Sequence, residues 1–273
     1  MQFGSIQLDL DRVHVMGVLN VTPDSFSDGG RFATLDNALM QAESMFQSGA
    51  TFIDVGGEST RPGAKEVSLQ EEMDRVLPVV EALSETQEVV ISVDSSSPQL
   101  LHEASKIGMG LINDVRALQR EGALEVASET QLPICLMHMQ GSPQCMQENP
   151  NYKNAIDDIS TFFEERIQAC IGAGISKDKL ILDPGFGFGK TLTHNLMLLK
   201  QLTVFERFDL PLLVGLSRKS MLGQITGKEV AERLAASLSS SVIAAMNGAR
   251  IIRVHDVEET VDALKVVQAM LDV

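Results

Sequence analysis

The chain has 273 residues, 44% of them hydrophobic, and a formal net charge of −15. The length suits one α/β barrel of about 250 residues, and the apolar fraction is enough for a sizeable core. The negative charge argues against non-specific nucleic-acid binding, which needs a positive field, but leaves room for a small anion held by a few local cations. Cys135, Cys145 and Cys170 show no metal-binding or CxxC spacing, so reduced thiols in a cytoplasmic protein are expected. Residues 1–12 carry no signal-peptide pattern, and no apolar run approaches about 18 residues, so no membrane partner is expected.

In chain order, the alternating Ser5-Ile-Gln-Leu-Asp-Leu10 predicts a hairpin or cap over the bottom of a barrel. Short apolar runs then predict strands at 13–19, 51–55, 89–93, 111–113, 133–137, 179–182, 212–215 and 251–254. Between them, helical periodicity predicts helices at 35–48, 69–83, 99–106, 123–130, 155–173, 193–202 and 230–246, with 257–271 closing the chain. Thr34 and Thr193 stand where the first and sixth helices would be N-capped, and Gly49 follows the end of the first. Eight strand–helix units without two successive strands imply a parallel sheet that closes on itself: a single (β/α)8 TIM barrel domain spanning 1–273. The longest non-periodic stretches, 22–33, 57–68 and 140–152, are too long for plain connections in such a barrel.

Polar clusters follow several of these runs, and loops after barrel strands build one shared site. Asp183-Pro-Gly-Phe-Gly-Phe-Gly-Lys190-Thr191 lacks the spacing of a phosphate-binding loop and of a dinucleotide fingerprint. Its glycines would let the backbone pass close to a flat ligand, with Phe186 or Phe188 offering a ring; a plain tight βα turn is the bland alternative. Asp94 and Asp183 each end a strand, Asn113 with Asp114 ends another, and Asp54 is a fourth acid. Such a set suits a ligand with a donor-rich edge, such as an aminopyrimidine ring; a divalent metal is the rival reading, and helix capping the structural one. Arg253 and His255 are two apart, hence on one strand face. With Ser217, Lys219 and Ser220 they make a cationic, hydroxyl-rich patch after strands seven and eight, where barrels bind phosphate, unless Arg253 simply pairs with Asp256. Asn20 ends the strand that adjoins strand eight in a closed barrel, within reach of a phosphate-bound Mg²⁺. His14, His102 and His194 read as structural, and His138 is undecided. The Met-rich stretch 137–146 reads as wall and cover.

The segments from Asn20 to Gly30, Asp54 to Gly63, Asp183 to Lys190, Ser217 to Ser220 and Arg253 to Val257 closely resemble dihydropteroate synthases, in order and with matching spacing. One departure is Asp94-Ser-Ser-Ser-Pro98, where that family often has threonine after the acid and lysine before the proline. The resemblance implies a transferase of folate biosynthesis, usually a cytoplasmic homodimer and a sulfonamide target. It would join 6-hydroxymethyl-7,8-dihydropterin diphosphate to p-aminobenzoate, releasing pyrophosphate. By position, Asp94, Asn113, Asp183 and Lys219 would read the pterin, with Phe188 against it. Asn20, Thr60, Arg61, Arg253 and His255 would hold the diphosphate, with Mg²⁺ on Asn20. Phe26, Pro62, Phe188, Lys219 and Ser220 would surround p-aminobenzoate, and Asp28, Thr60 and Arg61 would organise loops closed over it. Catalysis would rest on Asp94, Lys219, Asn20, Arg253 and His255. Two alternatives stand beside this: a pterin-dependent methyltransferase of similar fold, which has no use for a diphosphate patch, and a catalytically silent pterin-binding protein, which the presence of Asn20, Lys219 and Arg253 disfavours.

Overall fold

The computed structural model describes residues 1–22, 30–58, 67–86, 88–141, 146 and 150–273, and only the backbone of 30–34. Gln2–Phe3 (β1) and Ile6–Gln7 (β2) pair as an antiparallel hairpin with Phe3 opposite Ile6. Eight parallel strands follow: β3 (His14–Asn20), β4 (Phe52–Gly56), β5 (Val90–Asp94), β6 (Leu111–Asp114), β7 (Ile134–Met137), β8 (Leu180–Asp183), β9 (Leu212–Val214) and β10 (Ala249–Val254). They close into a barrel in which β10 pairs with β3.

Strand periodicity explains where the barrel turns from oily to polar. Met16, Phe52, Val90, Leu111, Cys135, Ile181, Leu213 and Ile251, one from each strand, fill the floor. Phe3 plugs it from below, edge-on to Phe52 with ring centroids 5.0 Å apart, so the hairpin caps the barrel bottom as expected. Two residues further along each strand the same interior face carries Val18, Asp54, Ser92, Asn113, Met137, Asp183, Gly215 and Arg253. The alternate residues, such as Val15, Ile53, Ile91, Ile112, Ile134, Leu182, Val214 and Ile252, face outward into the main core beneath the helices. Each such side chain contributes roughly 1.5–3 kcal/mol when fully buried, so the polar interior layer rests on a stable shell.

The helices are α1 (Gly30–Gln47), α2 (Leu69–Thr86), α3 (Pro98–Lys106), α4 (Ala123–Thr130), α5 (Ala155–Gly172), α6 (Leu192–Lys200), α7 (Ser220–Thr226), α8 (Leu234–Met246) and α9 (Val257–Leu271). Several expectations need correction. α1 begins at Gly30, so Thr34 lies inside it and is not its cap. α6 is capped by Thr191 rather than Thr193: its hydroxyl accepts from His194 N at 3.2 Å while the His194 ring accepts from Thr191 N, a capping box. The stretch expected as one helix over 230–246 is a 3-10 turn, Val230–Glu232, followed by α8. Leu202–Phe208 forms a further 3-10 segment, and α7 has no counterpart among the expected helices, being too short for periodicity to reveal.

Candidate active site

Asp54, Asn113, Asp183 and Arg253 occupy the interior layer above the apolar floor, and Asn20 and Asp94 lie at the strand ends, one step nearer the mouth. Arg253 does not pair with Asp256. Its Nε donates to Asp54 Oδ2 at 2.6 Å and its Nη2 to Asp94 Oδ2 at 2.9 Å. Burial alone would lower the Arg253 pKa, but the Asp54 and Asp94 carboxylates raise it, so it stays charged. Asp256 is bound instead by Arg218, through Nε at 3.1 Å and through Nη2.

The acids separate into two kinds. Asp54 is fully buried and saturated by the protein: Ser92 Oγ donates at 2.5 Å, and Asn113 Nδ2 lies 3.2 and 3.1 Å from its two oxygens. Asp114 is also buried, accepting from Ser96 Oγ and from Arg116 N and Leu118 N at 2.8 Å. Those bonds hold a loop in which Ala117 and Leu118 take positive φ. Both acids are spent on protein donors, whereas the sequence grouped them with Asp94 and Asp183 as acids that could read a donor-rich ligand edge. Asp94 and Asp183 are less committed. Burial raises the Asp94 pKa to about 7 against the opposing pull of Arg253, with Asp54 adding to the rise. Burial likewise raises Asp183, opposed by Lys219. Asp183 Oδ1 accepts from Gly185 N at 2.7 Å. Helix capping is excluded for Asp183, because Thr191 caps α6, and Asp94 is engaged with Arg253.

Lys219 projects from the loop before α7. Its Nζ donates to Phe186 O and sits 4.6 Å from the centroid of the Phe188 ring. Burial lowers its pKa to about 8, opposed by Asp183 and reinforced by Arg253. The residue before it, Arg218, has φ +59, a left-handed conformation uncommon for a side-chain-bearing residue. That geometry is held from several sides: Arg218 N donates to Ser237 Oγ at 3.0 Å, Arg233 Nη1 donates to Arg218 O at 3.0 Å, and its side chain holds Asp256. Strain concentrated at one loop residue marks an imposed backbone path, here one that brings Lys219 to the Phe188 ring. Ser217 Oγ lies 3.0 Å from His255 Nδ1 and accepts from His255 N at 3.2 Å, so the two halves of the cationic patch meet. Ser220 is exposed at the start of α7.

The Asp183–Lys190 segment is a tight, multiply anchored turn. Of its two rings, Phe186 is buried in the outer core and only the half-buried Phe188 can meet a ligand. Gly185 has φ +67, and a Cβ there would overlap the His138 carbonyl oxygen. Lys190 is buried, with Nζ 2.9 Å from His138 Nδ1, 2.9 Å from Gly185 O and 3.0 Å from Phe188 O. Burial pushes its ammonium well below the usual lysine range. Burial, with Lys190 beside it, lowers the His138 pKa to about 2, so His138 is a neutral acceptor and structural. His14, bonded to Asp9 O and Thr51 Oγ1, is structural too. Met137 and Met146 are buried, consistent with a wall.

Phe26, Asp28, Thr60, Arg61 and Pro62 lie outside the described residues. Sequence reasoning missed the roles of Asp54, Ser92 and Asn195, whose Oδ1 accepts from Gly187 N at 2.7 Å. For Asp54 and Ser92 a signal existed: each stands two residues after a floor residue. For Asn195, on a helix, there was none. Among the described residues no group of three or more His, Cys, Asp or Glu is arranged to hold a metal, and no helix is long and apolar enough to cross a membrane.

The family described as pterin binding enzyme matches residues 16–255. Dihydropteroate synthase of Escherichia coli (strain K12) is 59% identical over 264 residues, which span 97% of this chain and 94% of that protein. The crystal structure of Yersinia pestis dihydropteroate synthase with a sulfonamide drug complex superposes with a TM-score of 0.96 at 55% identity, covering 100% of this chain and 99% of the other. Xanthomonas albilineans dihydropteroate synthase with 4-aminobenzoic acid gives a TM-score of 0.92 at 44% identity, over 97% and 96% of the two chains.

Proposed function

The chain belongs to the pterin-binding enzyme family, and we infer from that membership and from its barrel mouth that it is a transferase with dihydropteroate synthase activity. It condenses 6-hydroxymethyl-7,8-dihydropterin diphosphate with p-aminobenzoate, giving 7,8-dihydropteroate and pyrophosphate. The observation that carries this reading is the juxtaposition of two chemistries: acceptors on Asp94, Asn113 and Asp183, and the cations Lys219 and Arg253 with the His255 imidazole beside them. The first set suits the donor-rich edge of an aminopyrimidine, the second a diphosphate. A methyltransferase would leave the second set without purpose.

In this reading the arylamine nitrogen attacks the pterin methylene, and the C–O bond breaks with its electron pair passing to the departing pyrophosphate. The amine then loses a proton to solvent. An arylamine is neutral and nucleophilic near neutral pH, so the barrier lies in expelling the leaving group. Arg253 and His255 bind and stabilise the charge that builds there, and Asp94 offsets positive character at the pterin. Asp183, Asn113 and Lys219 orient the ring, while Phe188, Lys219 and Ser220 border the arylamine. Mg²⁺ fits as an ion carried by the diphosphate: it retains waters and needs only one or two protein oxygens. Asn20, which ends β3 beside Gly56 and faces the same side of it as Asp94, would supply such an oxygen. When bound, the ion would share the charge of the leaving group.

A sulfonamide, as a p-aminobenzoate mimic, would compete at the arylamine position. A homodimer is supported by α8, which contains no charged residue yet leaves Ile243 and Met246, one turn apart, exposed. The cytoplasm fits free buried thiols at Cys135 and Cys170. The deciding experiment is pyrophosphate release with and without p-aminobenzoate. Release that depends on the arylamine is expected; binding of the pterin diphosphate without turnover would favour the silent binding protein.

A further inference from the structure

Asp54 is the best-satisfied charged group in the barrel interior, and no role in the reaction described above requires it. It is fully buried, and its two oxygens receive Ser92 Oγ at 2.5 Å, Asn113 Nδ2 at 3.2 and 3.1 Å, and Arg253 Nε at 2.6 Å. No acceptor capacity is left for a ligand. Two of its donors, however, are side chains placed at opposite ends of the substrate: Asn113 at the pterin and Arg253 at the diphosphate.

The amide of Asn113 has two faces of opposite polarity, an NH₂ and a carbonyl oxygen. Facing a carboxylate, only the NH₂ is tolerated, because a carbonyl turned toward Asp54 would set acceptor against acceptor. The carbonyl oxygen of Asn113 is therefore the face left for the ligand. Arg253 is held in the same way: with Nε on Asp54 its guanidinium plane is fixed, and Nη2 reaches Asp94 at 2.9 Å. We propose that Asp54 is a positioning residue that sets the acceptor polarity of Asn113, and so the preference of the site for a heterocycle with an exocyclic amine over one with an oxo group. The proposal rests on the pterin reading of the site.

Asp54→Asn keeps the shape and changes the logic. With its oxygen kept on Arg253, the asparagine still accepts from Asn113 there, but its NH₂ takes the place of the second oxygen, 3.2 Å from Asn113 Nδ2, so Asn113 is no longer held in one orientation and can flip to present its own NH₂ to the ligand. Calorimetry with 6-hydroxymethylpterin and with its 2-oxo counterpart, on wild type and Asp54→Asn, reads this directly. The wild type is expected to favour the amino compound, and the variant to lose about tenfold of that ratio, the scale of one neutral hydrogen bond lost together with the cost of a buried donor set against a donor. A merely structural role would weaken both ligands together and leave the ratio unchanged, which would overturn the proposal, as would unchanged affinities. If Asp54→Asn does not fold, Asn113→Ala removes the carbonyl that Asp54 is argued to turn toward the ligand while leaving the carboxylate in place. A fall in the ratio of about threefold or more is then expected, and an unchanged ratio again overturns the proposal. Failure of the underlying pterin reading shows separately, as a wild-type chain that binds neither pteridine.

Discussion

Replacing Arg253 by alanine removes the cation that bridges Asp54 and Asp94. It donates at 2.6 Å to a carboxylate with no exposure and at 2.9 Å to a second whose side chain is 12% exposed. Taking one partner from a buried ion pair costs about 3–5 kcal/mol, because the remaining charge is stranded. The Arg253 side chain is itself 24% exposed, and water entering its space would solvate part of what it leaves behind. The lower end, about 3 kcal/mol, is therefore expected, or about 6–10 °C in Tm for a chain of this size. The deficit must also depend on pH. Asp94 has a folded-state pKa raised to about 7 by burial, held there by Arg253. A carboxyl whose folded pKa is raised contributes stability that is present below its unfolded pKa and lost as pH rises through the folded one. In the wild type that loss ends near pH 7; without Arg253 the pKa climbs and the loss continues above it. Chemical denaturation near pH 6 and near pH 8 should show a larger deficit at the higher pH. A deficit below about 1 kcal/mol, or one equal at both pH values, would refute the claim that Arg253 compensates these two acids.

Ligand affinity should follow a bell in pH: reading the pterin's donors needs Asp94 ionised, with its pKa about 7, and Lys219 protonated, with its pKa about 8. Calorimetry with the pterin diphosphate should place the maximum between those values, and a monotonic profile would remove one of the two groups from the site. Asp183→Asn keeps an oxygen for Gly185 N but turns a donor toward the ligand, so pterin affinity should fall about tenfold or more while unfolding changes by less than about 1 kcal/mol. A collapse in stability instead would make Asp183 a structural residue. Lys190→Met leaves His138 Nδ1, Gly185 O and Phe188 O without their buried donor, and should cost about 2–4 kcal/mol in urea unfolding. A loss within about 0.5 kcal/mol would mean that the glycine turn holds itself.

The barrel was legible in the sequence because its determinants are local. Strands that begin at apolar runs and end in acids, alternating with amphipathic helices, need no knowledge of what lies across the core. The hairpin cap, the eight strands and the positions of Asp94, Asn113, Asp183, Lys219, Arg253 and His255 at strand ends or just beyond them all followed from that rhythm. Short or capped features were read less well: Thr191 rather than Thr193 caps α6, and α7 has too few residues to declare a period. Which polar groups are spent on one another was decided only by closure of the barrel. Asp54 meets Arg253 across a separation of 199 residues, and Arg253 meets Asp94 across 159. Four acids that looked equivalent as a list thus became two saturated by protein donors and two, Asp94 and Asp183, beside the cations Arg253 and Lys219. Likewise Phe186 and Phe188, two residues apart and alike in sequence, were separated into core and site by a turn with positive φ at Gly185, Gly187 and Gly189. Periodicity fixes the face a side chain occupies along its own strand; its partner is set by the register and curvature of strands far away in the chain, and there the chemistry of this site is determined.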